Sequence, residues 1–491
     1  MLSVHDKSGL VPFARRLAAM GWELVASGGT AAALDEVGIA VTRVEAVTGA
    51  PEILGGRVKT LHPKIHGGIL TRGPEDDGEL ASEGIAPIEL VVCNLYPFRE
   101  ILADPSSSES AISENIDIGG SAMIRAAAKN HRRVAVVVSP HRYEEVATAI
   151  EEGRLDEEMR RALAAEAFAH TAAYDAAIAG WFTRDRALYL RHVARLRYGE
   201  NPHQTGDLYR EDGAEPWWAH MTQHQGKEMS FNNYADADAA WGLSSALGPG
   251  SAVVVKHTNP AGAAVGGPTT AETFEMAWDG DSQAAFGGVV AINADLDADT
   301  AGLLADRFVE VVVARSVSPN ALEGLARKKS LRVITASPVA DGGLDYRRVT
   351  GGFLIQTPDS VETGSWKTVS AREPNPAEMV SLRLAWVVAA HTKSNAIVIV
   401  NGNKVVGVGA GDQSRIGAAQ RAVARGGDRA KGGVAASDAF FPFRDGLDAL
   451  AEAGVGAVVE PGGSVRDDEV IAAADELGVA LVLTGRRHFK H

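Results

Sequence analysis

Cysteine is almost missing: the 491 residues include one, Cys93. A single thiol excludes an intrachain disulfide framework and a cysteine-built zinc site, and it fits a reducing cytoplasm. Long apolar runs are missing as well. None approaches the roughly 20 residues that span a bilayer, and the N-terminal MLSVHDKSGL has no secretory pattern. Positive charge is in deficit: a formal net charge of −15 argues against a general nucleic-acid or acidic-membrane binder, yet leaves room for a locally basic pocket. There is no low-complexity linker and no short-period repeat. The expectation is a soluble, cytoplasmic protein with no nucleic-acid and no membrane partner.

What is present is a globular composition, 45% hydrophobic and 23% charged, in a chain long enough for two or three domains. The chain is organised around VVVKHTNPAG at 253–262. Three β-branched valines favour a buried strand, and Pro260 keeps Asn259 out of helical geometry, so Lys256 and His257 fall at a strand end entering a turn. A lysine there stabilises developing negative charge and a histidine moves a proton near neutral pH. The ordinary alternative is a surface lysine beside a structural histidine.

The first third alternates strand, polar turn and helix. A short start at 2–4 precedes His5-Asp6-Lys7-Ser8 and an amphipathic helix on Leu10, Phe13, Leu17 and Met20. A strand at 23–26 then meets Ser27-Gly28-Gly29-Thr30 and a helix at 31–37, a pattern that seats phosphate or serves as an ordinary tight turn. The segment from Arg57 to Gly68 packs Arg57, Lys59, Lys64, His62 and His66 together with Thr60. Pro63 and Gly67-Gly68 argue against a helix placing both histidines on one face, which disfavours a metal pair. A strand at 90–93 ends near Tyr96, and Asn115-Ile116-Asp117-Ile118-Gly119-Gly120 leads into a helix carrying Arg125 and Lys129. This alternation predicts a parallel sheet with turns converging at its carboxyl edge, closed by a helix over 160–181.

Arg197-Tyr198-Gly199-Glu200 opens a second domain, and Asn232-Asn233 offers a carboxamide pair or ordinary loop material. Phe286-Gly287-Gly288 is a glycine approach into a strand, and Glu310 sits inside an apolar strand where it needs a partner. A hairpin at 396–408 runs into Gly409-Ala410-Gly411-Asp412-Gln413-Ser414-Arg415, a plausible phosphate seat. Phe440, Phe441, Pro442 and Phe443 suit core packing or an aromatic slot. The strand-to-turn pattern near 252–262 and again near 394–411 suggests an internal duplication.

These motifs together resemble the bifunctional purine-biosynthesis family that joins an inosine monophosphate (IMP) cyclohydrolase to an aminoimidazole carboxamide ribonucleotide (AICAR) transformylase. The resemblance runs through SGGT at 27–30, GRVKTLHPKIHGGIL at 56–70, NLYPF at 94–98, NIDIGG at 115–120, RAAAKNH at 125–131, LRYGENPHQ at 196–204, KHTNPAG at 256–262, GAGDQSRI at 409–416 and SDAFFPFRD at 437–445. It implies an α/β fold: a methylglyoxal-synthase-like parallel-sheet domain over 1–190, then a transformylase region over 191–491 of two cytidine-deaminase-like units split near 365–375. The deaminase zinc signature is absent, so no metal is expected.

The resemblance also implies formyl transfer from 10-formyltetrahydrofolate to AICAR, then ring closure of formyl-AICAR to IMP, in a homodimer with shared transformylase sites. By it, Lys256, His257 and Asn395 serve formyl transfer, and Lys59, Tyr96, Asp117 and Lys129 serve cyclisation. Lys7, Ser27, Gly28, Gly29, Thr30, Arg57, Thr60 and Gly119 would seat the first domain's nucleotide. Arg197, Tyr198, Asn232, Asn233, Glu310, Arg415, Asp445 and Arg487 would hold AICAR, with Phe286, Gly287, Phe440, Phe441 and Pro442 lining the folate slot. Two departures stand out: only residues 1–4 precede the first turn, where relatives have a longer first strand, and Glu310 stands where some relatives carry Asp. Two rivals, a phosphate-eliminating synthase confined to 1–190 and a nucleotide-sensing regulator, leave the Lys256-His257 pair without a task.

Overall fold

The computed structural model describes residues 1–183, 185–339 and 342–491. They form two compact units, Met1–Tyr189 and Leu190–His491. In the first, β1 (Leu2–Val4), β2 (Val25–Ala26), β3 (Thr42–Arg43), β4 (Leu90–Asn94) and β5 (Ala135–Val137) make a parallel sheet in the order β3-β2-β1-β4-β5. Alternate residues explain its two covered faces. Leu90 and Val92 pack into one core with Leu10, Phe13 and Leu17, while Val91 and Cys93 pack into the other with Ile65, Met123 and Ile124.

In the second unit, β6 (Leu190–Leu196) and β7 (Gly206–Glu211) form a separate antiparallel pair. A twelve-stranded sheet is built from β8 (Thr222–Gln225), β9 (Ala252–Lys256), β10 (Asn259–Ala264), β11 (Gly288–Leu296), β12 (Val309–Val317) and β13 (Arg332–Thr335). After the hairpin of β14 (Asp345–Val349) and β15 (Gly352–Gln356), β16 (Lys367–Thr368), β17 (Ile397–Asn401), β18 (Lys404–Gly409), β19 (Val434–Ser437), β20 (Ala457–Glu460) and β21 (Ala480–Leu483) complete it.

The strand order, β16-β21-β20-β19-β17-β18-β10-β9-β11-β12-β13-β8, reads the same from the centre outward in both directions. Each half has a hairpin, an antiparallel neighbour, two parallel steps and an antiparallel edge. The helices Phe231–Leu247 and Pro376–Ala390 precede the two hairpins, both open on capping boxes, and share one core with Trp241 and Trp386 at its centre. The expected duplication is therefore present as two repeats. Because β10 and β18 are antiparallel, the end of β9 and the start of β17 lie at the same edge of the sheet.

One local expectation is corrected. Residues Pro63–Leu70 are helical, with Pro63 in the first turn and His62 capping it by accepting from Lys64 N at 3.1 Å. Gly67 and Gly68 do not break this helix; they let it approach the 85–88 segment, where a Cβ on Gly68 would stand 2.4 Å from Ala86 O. Among the described residues no helix is long and apolar enough to cross a membrane.

Candidate active sites

In the first unit the carboxyl ends of β1, β2 and β4 open onto a cavity of about 550 Å³. Parallel strands place their outgoing turns together, and that is why residues distant in sequence meet here. Ser27, Gly28, Gly29, Arg57, Lys59, Thr60, Tyr96, Asp117, Gly119 and Lys7 all line it. The helix Gly28–Asp35 begins at Gly28, earlier than its apolar pattern indicates, so its first amides, which have no intrahelical acceptor, face the cavity. Asp117 caps the helix Ile118–Lys129, accepting from Gly120 N at 2.7 Å, and burial raises its carboxyl above the ordinary range. Burial, and then the charge of Asp117, also raise the Tyr96 phenol. Lys59 Nζ lies 3.0 Å from Glu52, and Arg57 is paired with Glu114.

Two expected residues behave differently. Lys129 is not brought to this cavity: it is the last residue of the helix that Asp117 caps, about 18 Å along the axis at 1.5 Å per residue. Thr30 lines the cavity, but its hydroxyl both donates to Val4 O and accepts from Val4 N, so it fastens the glycine turn to β1. Asn94, singled out in the sequence only as part of its motif, makes the comparable tie on the other side. Its Oδ1 accepts from His5 N and Asp6 N, and its Nδ2 donates to Asp6 O at 2.9 Å.

In the second unit the chain Lys256–Gly287–Phe308–Glu310–Asn233 is continuous. Lys256 Nζ donates to Gly287 O at 2.7 Å, Gly287 N donates to Phe308 O at 2.8 Å, and Asn233 Nδ2 donates to Glu310 Oε2 at 2.9 Å. Phe286 is 63% exposed, its ring 5.0 Å from that of Phe308. Arg197 lies over the Tyr198 ring, and exposed Asn232 donates to Glu200 O, which draws the 197–200 segment to the same place. Glu310 is also 3.9 Å from Arg332, a residue the sequence reading missed because its partner is over twenty positions away.

The second repeat contributes Asn395. Its Oδ1 accepts from Arg415 at 2.8 Å and its Nδ2 donates to Asp412 O at 2.9 Å, leaving one amide proton to offer. The two halves meet where Lys393 N donates to Asn259 Oδ1 at 3.0 Å. Arg415 is corrected from nucleotide holder to support. It is buried, and its guanidinium is taken up by Asp438, Ala396 O and Asn395. Phe441 is corrected as well: fully buried in the core of the second repeat, it offers no ring face, while partly exposed Phe440 and Pro442 remain at the surface with Asp445 and Arg487. Among the described residues no group of His, Cys, Asp or Glu is arranged to hold a metal ion.

Comparison with known proteins places the chain in a family. A family model described as the AICARFT/IMPCHase bienzyme matches residues 127–425, and one for the MGS-like domain matches residues 9–122. The bifunctional purine biosynthesis proteins PurH of Sorangium cellulosum and Myxococcus xanthus are 47% and 49% identical, covering 100% of this chain and 99% of their own. That of Mycobacterium marinum is 45% identical over 100% of this chain and 98% of its own. A solved structure named "Crystal structure of ForH" is 38% identical over 37% of this chain and 99% of its own, with a TM-score of 0.34. The chain belongs to the AICARFT/IMPCHase bienzyme family of bifunctional purine biosynthesis proteins, which formylate AICAR from a formyl-folate and close the product to IMP, the last two steps of IMP synthesis.

Proposed function

We propose that the two steps are divided between the two units, cyclisation in Met1–Tyr189 and formyl transfer in Leu190–His491. One observation carries the second assignment: Lys256 and His257 from the first repeat share a sheet edge with Asn395 from the second, joined through Asn259 and Lys393. The AICAR amine is a weak nucleophile because its lone pair is delocalised into the ring and carboxamide. As it attacks the formyl carbon of 10-formyltetrahydrofolate it must lose a proton, and exposed His257 is the group that takes it. Lys256 stabilises the tetrahedral oxyanion or protonates the departing folate nitrogen, and the free amide proton of Asn395 binds the formyl oxygen. Arg197, Tyr198, Asn232, Glu310, Asp445 and Arg487 hold the nucleotide, while buried Asn233, which caps its helix through Ser230, positions Glu310. Phe286, Gly287, Phe440 and Pro442 border the folate.

In cyclisation the carboxamide nitrogen attacks the formyl carbon of the same molecule and water leaves. Proximity supplies much of the rate. The helix-start amides at Gly28 and Gly29, with Lys7 and Arg57, suit the phosphate. Asp117, held towards its protonated form by burial, is suited to proton exchange at the reacting amide and hydroxyl, with Lys59 and Tyr96 beside it. Neither step asks for a metal: every charge that develops has a lysine, an amide or a carboxyl near it. A cytoplasmic homodimer with shared transformylase sites completes the reading, supported by the exposed apolar side chains of Phe286, Phe353, Leu354 and Ile355.

The test is an assay with AICAR and 10-formyltetrahydrofolate in the presence of a chelator, following tetrahydrofolate and IMP together, with sedimentation to give the oligomeric state. Both products support the assignments. Loss of turnover on chelation would remove the metal-free reading, and a fully active monomer would remove the shared site.

A further inference from the structure

The two repeats differ at the turns of their central hairpins. Between β17 and β18 the loop residues are Gly402 and Asn403, ordinary turn formers, with Gly402 at φ 62°. Between β9 and β10, Asn259 pairs with Lys256, so the loop residues are His257 and Thr258, and both have positive φ, 53° and 62°. Two successive left-handed residues are what a type I′ hairpin turn demands, and Asn-Gly or Gly-Gly meets that demand with little strain. The β-branched threonine does not, and histidine takes positive φ less readily than glycine. Unrestrained, this pair would relax towards negative φ and carry the Lys256 and His257 side chains with it.

The helix Phe231–Leu247 supplies the restraint. Asp236, its sixth residue, accepts a hydrogen bond from Thr258 N at 2.7 Å. Ser381, the sixth residue of the helix Pro376–Ala390, reaches the other turn, where it donates to Gly402 O at 2.7 Å. Both repeats thus tie the same helix position to the same turn. Only the first uses a carboxylate, and only the first builds its turn from a histidine and a threonine. Burial raises the Asp236 carboxyl, while the amides of Thr258 and His257 and the charges of His257 and Lys256 lower it. Asn259 Nδ2 adds a bond to His257 O at 3.1 Å from the far side.

We infer that Asp236 is a positioning residue for formyl transfer: its carboxylate holds the His257–Thr258 turn in the left-handed conformation that presents Lys256 and His257 to the substrates. The inference rests on the assignment of those two residues to that step.

The experiment uses the full-length enzyme and four variants: Asp236→Ala, Asp236→Asn, Asp236→Ala combined with Thr258→Gly, and Lys256→Ala as control. Asp236→Ala should lower transformylase kcat by about 10²-fold, with KM for AICAR and 10-formyltetrahydrofolate within about threefold and cyclisation of supplied formyl-AICAR unchanged. Asp236→Asn keeps an oxygen acceptor and should stay within about threefold of the parent. Glycine at 258 adopts positive φ without strain and should return about tenfold of the loss in the double variant, which also serves if Asp236→Ala alone folds poorly. A kcat unchanged in Asp236→Ala, an equal loss in Asp236→Asn, a loss confined to KM, or no recovery in the double variant would each overturn the inference. Full formyl transfer by Lys256→Ala would instead overturn the assignment on which it rests.

Discussion

Gly287 shows how little room the formyl-transfer residues have. Its φ is 67°, and an added Cβ would stand 3.1 Å from the Phe308 ring and 3.3 Å from Lys256 Nζ. Gly287→Ala should therefore lower transformylase kcat about tenfold, through strain and displacement of the ammonium, and leave cyclisation untouched in a coupled assay against a formyl-AICAR assay. The two activities should also separate by charge removal. Lys256→Ala should cost formyl transfer about 10²- to 10³-fold and spare cyclisation; Lys59→Ala should do the reverse. Joint loss in either folded variant would count against two separate sites. The turns and strand ends that carry both candidate sites were legible because glycine turns, Pro/Gly breaks and strand periodicity follow local rules; the roles given to their residues come from the family resemblance. Burial was not. Arg415 looked like a phosphate ligand until Asp438, over twenty positions on, enclosed its charge, and Phe441 looked like part of a slot until its ring proved fully buried. Lys129 failed for a simpler reason, since helix length separates it from Asp117.

At the scale of elements, alternation of strand and helix made the parallel sheet of the first unit readable, and a repeated strand-to-turn pattern hinted at duplication in the second. The strand order was not readable, because β10 meets β18 across more than a hundred residues and no local periodicity encodes that pairing. Nor was the closeness of helix to sheet. A Cβ on Gly262 in β10 would stand 1.9 Å from Ala277 O, and one on Gly407 in β18 would stand 2.2 Å from Ala422 O. These are backbone atoms of packed helices, which cannot yield as a flexible side chain would. Gly262→Ala and Gly407→Ala should each destabilise the second unit by about 3 kcal/mol through overpacking. Urea unfolding followed by the fluorescence of buried Trp241 and Trp386 checks this; a midpoint within error of the parent would mean that the helices shift freely.

At the scale of the whole molecule, two buried groups in the second unit pull stability against pH in opposite directions. Glu460, buried at the end of β20 and accepting from Phe441 N at 2.8 Å, has its carboxyl raised by burial from 4.5 to about 7. The folded protein keeps a proton that the unfolded chain has released, so this contribution is fully present below about pH 4.5 and is lost as pH rises to about 7. His391, at the end of the helix Pro376–Ala390 with Nδ1 2.8 Å from Val387 O, is lowered by burial from 6.5 to about 4. Here the unfolded chain binds the proton first, so stability is present above about pH 6.5 and is lost as pH falls towards 4. Each swing is about 3 kcal/mol at about 1.4 kcal/mol per pH unit, and over the shared window they largely cancel. Glu460→Gln, which keeps an acceptor for Phe441 N, should remove one side of that balance. The variant should then lose about 3 kcal/mol more than the parent on going from pH 7 to pH 4.5. His391→Asn should change the slope in the opposite sense. Chemical denaturation at intervals across pH 4.5–7 reads both differences directly, and parallel curves for the parent and Glu460→Gln would show that Glu460 is ionised in the folded protein throughout that range.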